Sequence, residues 1–144
     1  MNDGVMLAFL PTYTDWCKQP LAHMTLVYAG TIDNVSYTAF GDLCKDALVV
    51  ARTLRRGFLL DVTGVEVFGD EQKVDVLKLQ ETPELLTARR IVEYWNASEH
   101  PFAAHATIGP EGSAEGELPT KLYFDKILCS WGPRNLTFRL GSDY

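Results

Sequence analysis

The chain has 144 residues, 47% of them apolar and 22% charged, and a formal net charge of −6. That length and balance predict one soluble domain spanning residues 1–144, able to bury roughly two-thirds of its unfolded surface. The acidic charge excludes a broad nucleic-acid-coating surface, which is normally basic, but not a small anion held in a local basic pocket.

The first predicted strand covers residues 5–10 and is closed by Pro11. No basic residue precedes it, and the apolar run is too short for a signal-peptide core or a membrane span, so it reads as a buried strand and no membrane role is expected. Residues 11–20 form a loop that holds Tyr13 and Trp16. A second strand follows over 22–28 and ends at Gly30. Strand alternation puts Leu21, His23, Thr25 and Val27 on one face, with Ala22, Met24, Leu26 and Tyr28 behind.

The first helix is expected over 35–54, where Phe40, Leu43, Ala47, Val50, Ala51 and Leu54 recur at three- and four-residue steps. Asp33 or Asn34 can cap its start, while Arg55, Arg56 and Gly57 suit its end. Residues 58–68 and 73–80 read as a hairpin across a Gly69-Asp70-Glu71-Gln72 turn, and Gly64 marks a bulge or a close approach. The second helix starts with Thr82 as N-cap and Pro83 in the first helical position. Leu85, Ala88, Val92 and Trp95 make its apolar face, and Asn96 ends it.

After the loop 97–102, a third β-rich run places Ala103, His105 and Thr107 on one face and Ala104, Ala106 and Ile108 on the other. Residues 109–119 are glycine-rich and acidic, and read as a mobile surface loop that gates or borders the site. Strands over 121–130 and 136–140 close the chain around a Trp131-Gly132-Pro133 turn. The arginines gather at Arg52, Arg55 and Arg56, at Arg89 and Arg90, and at Arg134 and Arg139. The first two groups read as solvated helix faces. Cys17, Cys44 and Cys129 are odd in number and lack C-x-x-C spacing. They argue against a disulfide framework or zinc ribbon and for a reducing, cytoplasmic compartment.

Within this order one phrase occurs twice. His23-Met24-Thr25-Leu26 and His105-Ala106-Thr107-Ile108 are each His-x-Thr followed by an aliphatic residue on a predicted strand, and they use two of only three histidines. Threonine fills 12 of the 144 positions, so chance gives this pairing to two of three histidines about two per cent of the time. The alternative is a pair of polar residues on the wet face of a half-buried strand. The two motifs, in a chain of this length, resemble those of the 2H phosphoesterase superfamily, the LigT-like or 2′-5′ RNA ligase-like proteins, in which one H-x-T/S-x motif sits in each lobe. The second motif often follows Pro-His directly in that family. Here Ala104 precedes His105, and His100-Pro101 lies upstream.

The resemblance implies an α+β fold of two pseudo-symmetric lobes, with antiparallel-rich sheets forming a central groove and helices on the outside. It also implies cleavage of a cyclic phosphodiester or 2′-5′ linkage in a small nucleotide or RNA end. The residues suit that chemistry independently. One imidazole can act as free base while the other donates a proton, and threonine hydroxyls can donate to phosphate oxygens. His23, Thr25, His105 and Thr107 are therefore the expected catalytic residues. No cofactor is expected, and no metal, because nothing supplies a third ligand beside the two histidines. An aromatic ring is expected to stack on the base, with Tyr13 and Trp131 as candidates; alternation turns Tyr28 away from His23. Two other readings fit the same residues. One is a hydrolase of signalling cyclic di- or oligonucleotides, like the phage anti-CBASS members of the superfamily. The other is a nucleotide-binding module without turnover.

Overall fold

A computed structural model describes residues 3–54 and 56–141 of the chain. Arg55, placed above in a basic cluster and at a helix end, lies outside the described residues. The elements follow the expected order: β1 (Gly4–Pro11), β2 (Met24–Thr31), α1 (Tyr37–Thr53), β3 (Phe58–Phe68), β4 (Val74–Leu79), α2 (Pro83–Val92), a 3₁₀ turn (Glu93–Trp95), β5 (His105–Pro110), β6 (Lys121–Trp131) and β7 (Arg134–Arg139).

The strands pair antiparallel in the order β2-β1-β6-β3-β4-β5, with β7 also on β6. β3 joins the two halves: Phe58 to Asp61 pair with β6, and from Val62 onward the strand pairs with β4. The register slips between Val62 and Gly64, leaving Thr63 unpaired. Open space surrounds Gly64, so of the two readings of that glycine the bulge is the correct one. β2 and β5, the two motif strands, stand at opposite ends of the strand order yet touch each other. The path therefore curls until its ends meet. α1 packs on β6 and β7, and α2 on α1 and β2. This is the α+β layout expected from the sequence. Among the described residues no helix is long and apolar enough to cross a membrane.

Local sequence explains most of the boundaries. In α2, Thr82 Oγ1 accepts from Leu85 N at 3.2 Å, and Pro83 takes the first turn, where its missing N–H costs nothing. α1 starts later than expected, at Tyr37, with Ser36 as its cap instead of Asp33 or Asn34. The reason is local: Asn34 N and Val35 N turn back to Thr31 O and finish β2, so the first free helical N–H groups fall after Ser36, whose Oγ accepts from Ala39 N at 3.1 Å. β2 also runs past its expected stop, because Gly30 at φ 118° continues the pairing with Val5. Behind the motif strands Met24, Leu26, Ala104, Ala106 and Ile108 are fully buried in the core.

The segment after β5 departs from expectation. It is tied down rather than loose. Asp75 is buried, and its carboxylate accepts from Gly112 N and Ala114 N, both at 3.0 Å. Glu111 N donates to Lys73 O, and Ala114 and Leu118 pack against the core. A buried carboxylate needs such donors, and the glycine-rich backbone can bring them close.

Candidate functional site

Each motif carries the same irregularity. On β2, Thr25 pairs with Ala8 and Val27 with Leu7, so Leu26 is extra. On β5, Thr107 pairs with Val76 and Gly109 with Asp75, so Ile108 is extra. Both tetrapeptides thus end in a β-bulge at the aliphatic residue. On β5 the alternation holds up to the bulge, and His105 and Thr107 share a face; β2 begins only at Met24, so His23, expected on the strand, lies just before it. Beyond each bulge the phase reverses. Val27, expected beside His23, is buried at 1% exposure, whereas Tyr28, expected behind it, is 38% exposed, and both line the cavity described below. A bulge also frees a carbonyl from the ladder. Leu26 O accepts from Arg89 Nη1 at 2.5 Å, and Ile108 O from Lys18 N at 2.7 Å. Each motif is braced by a group from the other half of the chain.

The imidazoles are held alike. His23 Nδ1 lies 2.9 Å from Leu21 O, and His105 Nδ1 lies 2.7 Å from Ala103 O. A carbonyl can only accept, so each Nδ1 carries the hydrogen and each Nε2 is left for chemistry. His105 is half-buried, its ring 4.7 Å from that of Phe68, with Lys78 Nζ 5.2 Å from the centre of the same phenyl ring. Burial pushes its pKa below the ordinary histidine value, and the positive charges of Lys78 and His23 push the same way, against the Ala103 carbonyl. Among the described residues Thr25 Oγ1 has only the Met6 thioether as partner, at 3.9 Å. Sulfur accepts weakly, so this hydroxyl is available to a better acceptor.

Thr25 and His105, one from each motif, line a cavity of about 560 Å³ together with Tyr28, Phe68, Arg89 and Phe102. That volume lies within the usual range for small-molecule sites. His23 and Thr107 do not line it. His23 is nevertheless close enough for its charge to act on His105. Thr107 shares the His105 face of β5, half-buried, and its carbonyl accepts from the Cys17 thiol at 3.6 Å.

Both aromatic candidates lie elsewhere. Tyr13 is 52% exposed in the loop after β1 and touches no part of the cavity wall; its carbonyl accepts from Trp16 Nε1. Trp131 is committed to α1, with Nε1 donating to Val35 O at 2.8 Å and its ring stacked 5.3 Å from that of Tyr37. The rings at the cavity are Tyr28, Phe68 and Phe102. The acidic segment after β5 contributes nothing to the wall either, because β5 carries it away from His105, its first residue.

Arg89 also reverses its expectation. It is 8% exposed rather than solvated, with its guanidinium 5.0 Å from the centre of the Phe102 ring. Desolvation lowers its pKa, and Glu93 partly offsets this. A signal for it existed in the sequence. Arg89 stands four residues after Leu85 and three before Val92, inside the apolar stripe of α2, where a cation is buried unless the helix turns. Tyr28 had no such signal, since only strand pairing reveals the bulge. Among the described residues no three of His, Cys, Asp and Glu converge to hold a metal ion.

No family model and no curated protein matches this sequence. Solved structures do match its fold. Usb1 of Kluyveromyces marxianus superposes with a TM-score of 0.62 at 10% identity, covering 96% of this chain and 98% of that one. TT0787 of Thermus thermophilus gives 0.61 at 16% identity over 98% and 100%. E. coli LigT, solved with NADP+, gives 0.55 at 18% identity over 97% and 99%. The chain shares the fold of these three proteins over nearly the full length of each.

Proposed function

We propose that this chain is a phosphodiesterase that cleaves a cyclic phosphodiester or a 2′-5′ linkage in a small nucleotide or an RNA end, by acid–base chemistry without a metal. The observation that carries this reading is the matched pair of motifs. Two imidazoles, each with Nδ1–H donated to a backbone carbonyl, stand at the starts of two bulged strands that meet, His23 just before β2 and His105 first on β5, with Thr25 and His105 on one cavity wall. The chemistry then follows from protonation. His105, kept neutral by burial, takes a proton from water through Nε2. The water oxygen bonds to phosphorus, and the bond from phosphorus to the ribose oxygen breaks. His23 gives that leaving oxygen its proton, and both histidines return to their starting states by exchanging protons with solvent. Thr25 and Thr107 donate hydrogen bonds to the non-bridging oxygens, where charge builds.

Related folds support a nucleotide ligand: Usb1 has been solved with uridine monophosphate, and LigT with 3′-AMP and with NADP+. The cavity of about 560 Å³, lined by Tyr28, Phe68 and Phe102 among others, also suits a cyclic dinucleotide, so hydrolysis of a signalling cyclic nucleotide is the second reading. The test is incubation with 2′,3′-cyclic mononucleotides and cyclic dinucleotides in the presence of EDTA. New phosphomonoester or linear products support the proposal and separate the two substrates. Tight binding of intact nucleotide with no product would make the chain a binding module instead.

A further inference from the structure

The buried guanidinium of Arg89 is a cation without a counter-ion. No carboxylate pairs with it among the described residues, and Glu93 acts on it only at a distance. Nη1 donates to Leu26 O, Phe102 covers one face of the group, and Nε is buried with no hydrogen-bond partner. Arg89 is nonetheless part of the cavity wall, and among the described residues it is the only lysine or arginine there. A desolvated cation with one neutral partner is unfavourable unless an anion completes it. Nη2, the nitrogen left over, is a charged donor that fits an oxygen of a phosphate. The same cavity wall thus has two anion-competent points, the Thr25 hydroxyl with the His105 imidazole as the first and the Arg89 guanidinium as the second.

We infer that Arg89 forms a second anion subsite, which holds a non-reacting phosphate of the substrate. This inference rests on the phosphodiesterase reading for the first point only. The occupant is either a terminal phosphate, such as the 5′-phosphate of a 2′,3′-cyclic mononucleotide, or the second bridging diester of a cyclic dinucleotide. Phe102 and Tyr28, which line this cavity with Arg89, offer apolar surface for the nucleoside.

The direct test is equilibrium binding, which requires no turnover. Adenosine and adenosine 5′-monophosphate would be titrated into the wild-type protein and into Arg89→Met and Arg89→Lys at low and high salt. The wild type is expected to favour the monophosphate by about tenfold or more, the preference falling as salt rises. Arg89→Met should abolish the preference. Arg89→Lys, which keeps the charge and a donor for Leu26 O but loses Nη2, should retain only part of it. The lysine variant decides the matter if Arg89→Met fails to fold. A wild type with no preference, or an Arg89→Lys preference equal to that of the wild type, overturns the inference. Turnover then identifies the source. A higher kcat/KM for 5′-phosphorylated than for 5′-hydroxyl 2′,3′-cyclic AMP, lost in Arg89→Lys, assigns a terminal phosphate. A preference for a cyclic dinucleotide, lost in the same variant, assigns a bridging diester. If nothing is cleaved but the binding preference disappears with Arg89, the phosphodiesterase reading fails and the subsite stands.

Discussion

A histidine proposed to accept a proton near neutral pH should be uncharged there, and burial, together with the positive charges of Lys78 and His23, shifts His105 in that direction. Its depressed pKa predicts that the acid limb of kcat/KM lies below the ordinary histidine value of about 6.5. The same shift links to stability. The unfolded chain binds a proton at His105 more readily than the folded one, so this contribution is complete above about pH 6.5 and is lost as pH falls toward the lowered folded value. His105→Gln should therefore lose less stability than the wild type between neutral and mildly acidic pH, as followed by urea unfolding at each pH. For catalysis, His23→Ala and His105→Ala are each expected to lower kcat by about 10²- to 10⁴-fold with folding intact. Near-full turnover in either variant would refute the acid–base assignment. Thr25→Val and Thr107→Val keep the shape of the side chain and remove its donor. Their effect should be kinetic, with the melting temperature nearly unchanged. Threonines present only for strand propensity would give no kinetic effect.

Along the strands, the bulges matter more than the alternation. Leu26 and Ile108 each take an unpaired place, which bends the strand just after the motif threonine and turns the following residues over. That turn leaves Val27 buried and Tyr28 exposed. Its ring is expected to stack on a nucleobase, an interaction worth about 1–3 kcal/mol. Tyr28→Ala should then raise KM for nucleotide substrates by roughly ten- to a hundredfold, which is that energy expressed as a ratio. Tyr13→Ala, well outside the cavity wall, should leave KM alone. Equal effects in the two variants would contradict this placement.

Across the molecule as a whole, the two motifs are held together by contacts that cross between the halves of the chain. Arg89 on α2 braces Leu26 on β2, the loop at Lys18 braces Ile108 on β5, and β3 pairs with both β6 and β4. Asp75 plays a comparable part at the far end of β5, where it fixes the acidic segment. Asp75→Ala leaves two backbone N–H groups without their acceptor and is expected to destabilise the fold by about 1–3 kcal/mol. Discrimination between mononucleotide and oligonucleotide substrates should not change, since that segment borders no part of the cavity. A changed preference at unchanged stability would restore a gating role.

The element order, the α2 cap at Thr82 and Pro83, the hairpin of β3 and β4, and the shared face of His105 and Thr107 were legible in the chain alone. These depend on periodicity and on side chains acting on their own neighbouring backbone, and both are local. The rest depended on partners distant in the chain and emerged only on folding. A bulge exists only relative to the strand beside it, so the outward turn of Tyr28 could not be read from alternation. The burial of Arg89 required Leu26 O and Phe102, 63 residues before and 13 after it, to converge on α2. Tyr13 and Trp131 fell outside the cavity because closeness in sequence to a motif or a turn does not fix which way the sheet curls. That curl is set by β3 and β6, which pair in both directions across the molecule and bring the two ends of the strand order face to face.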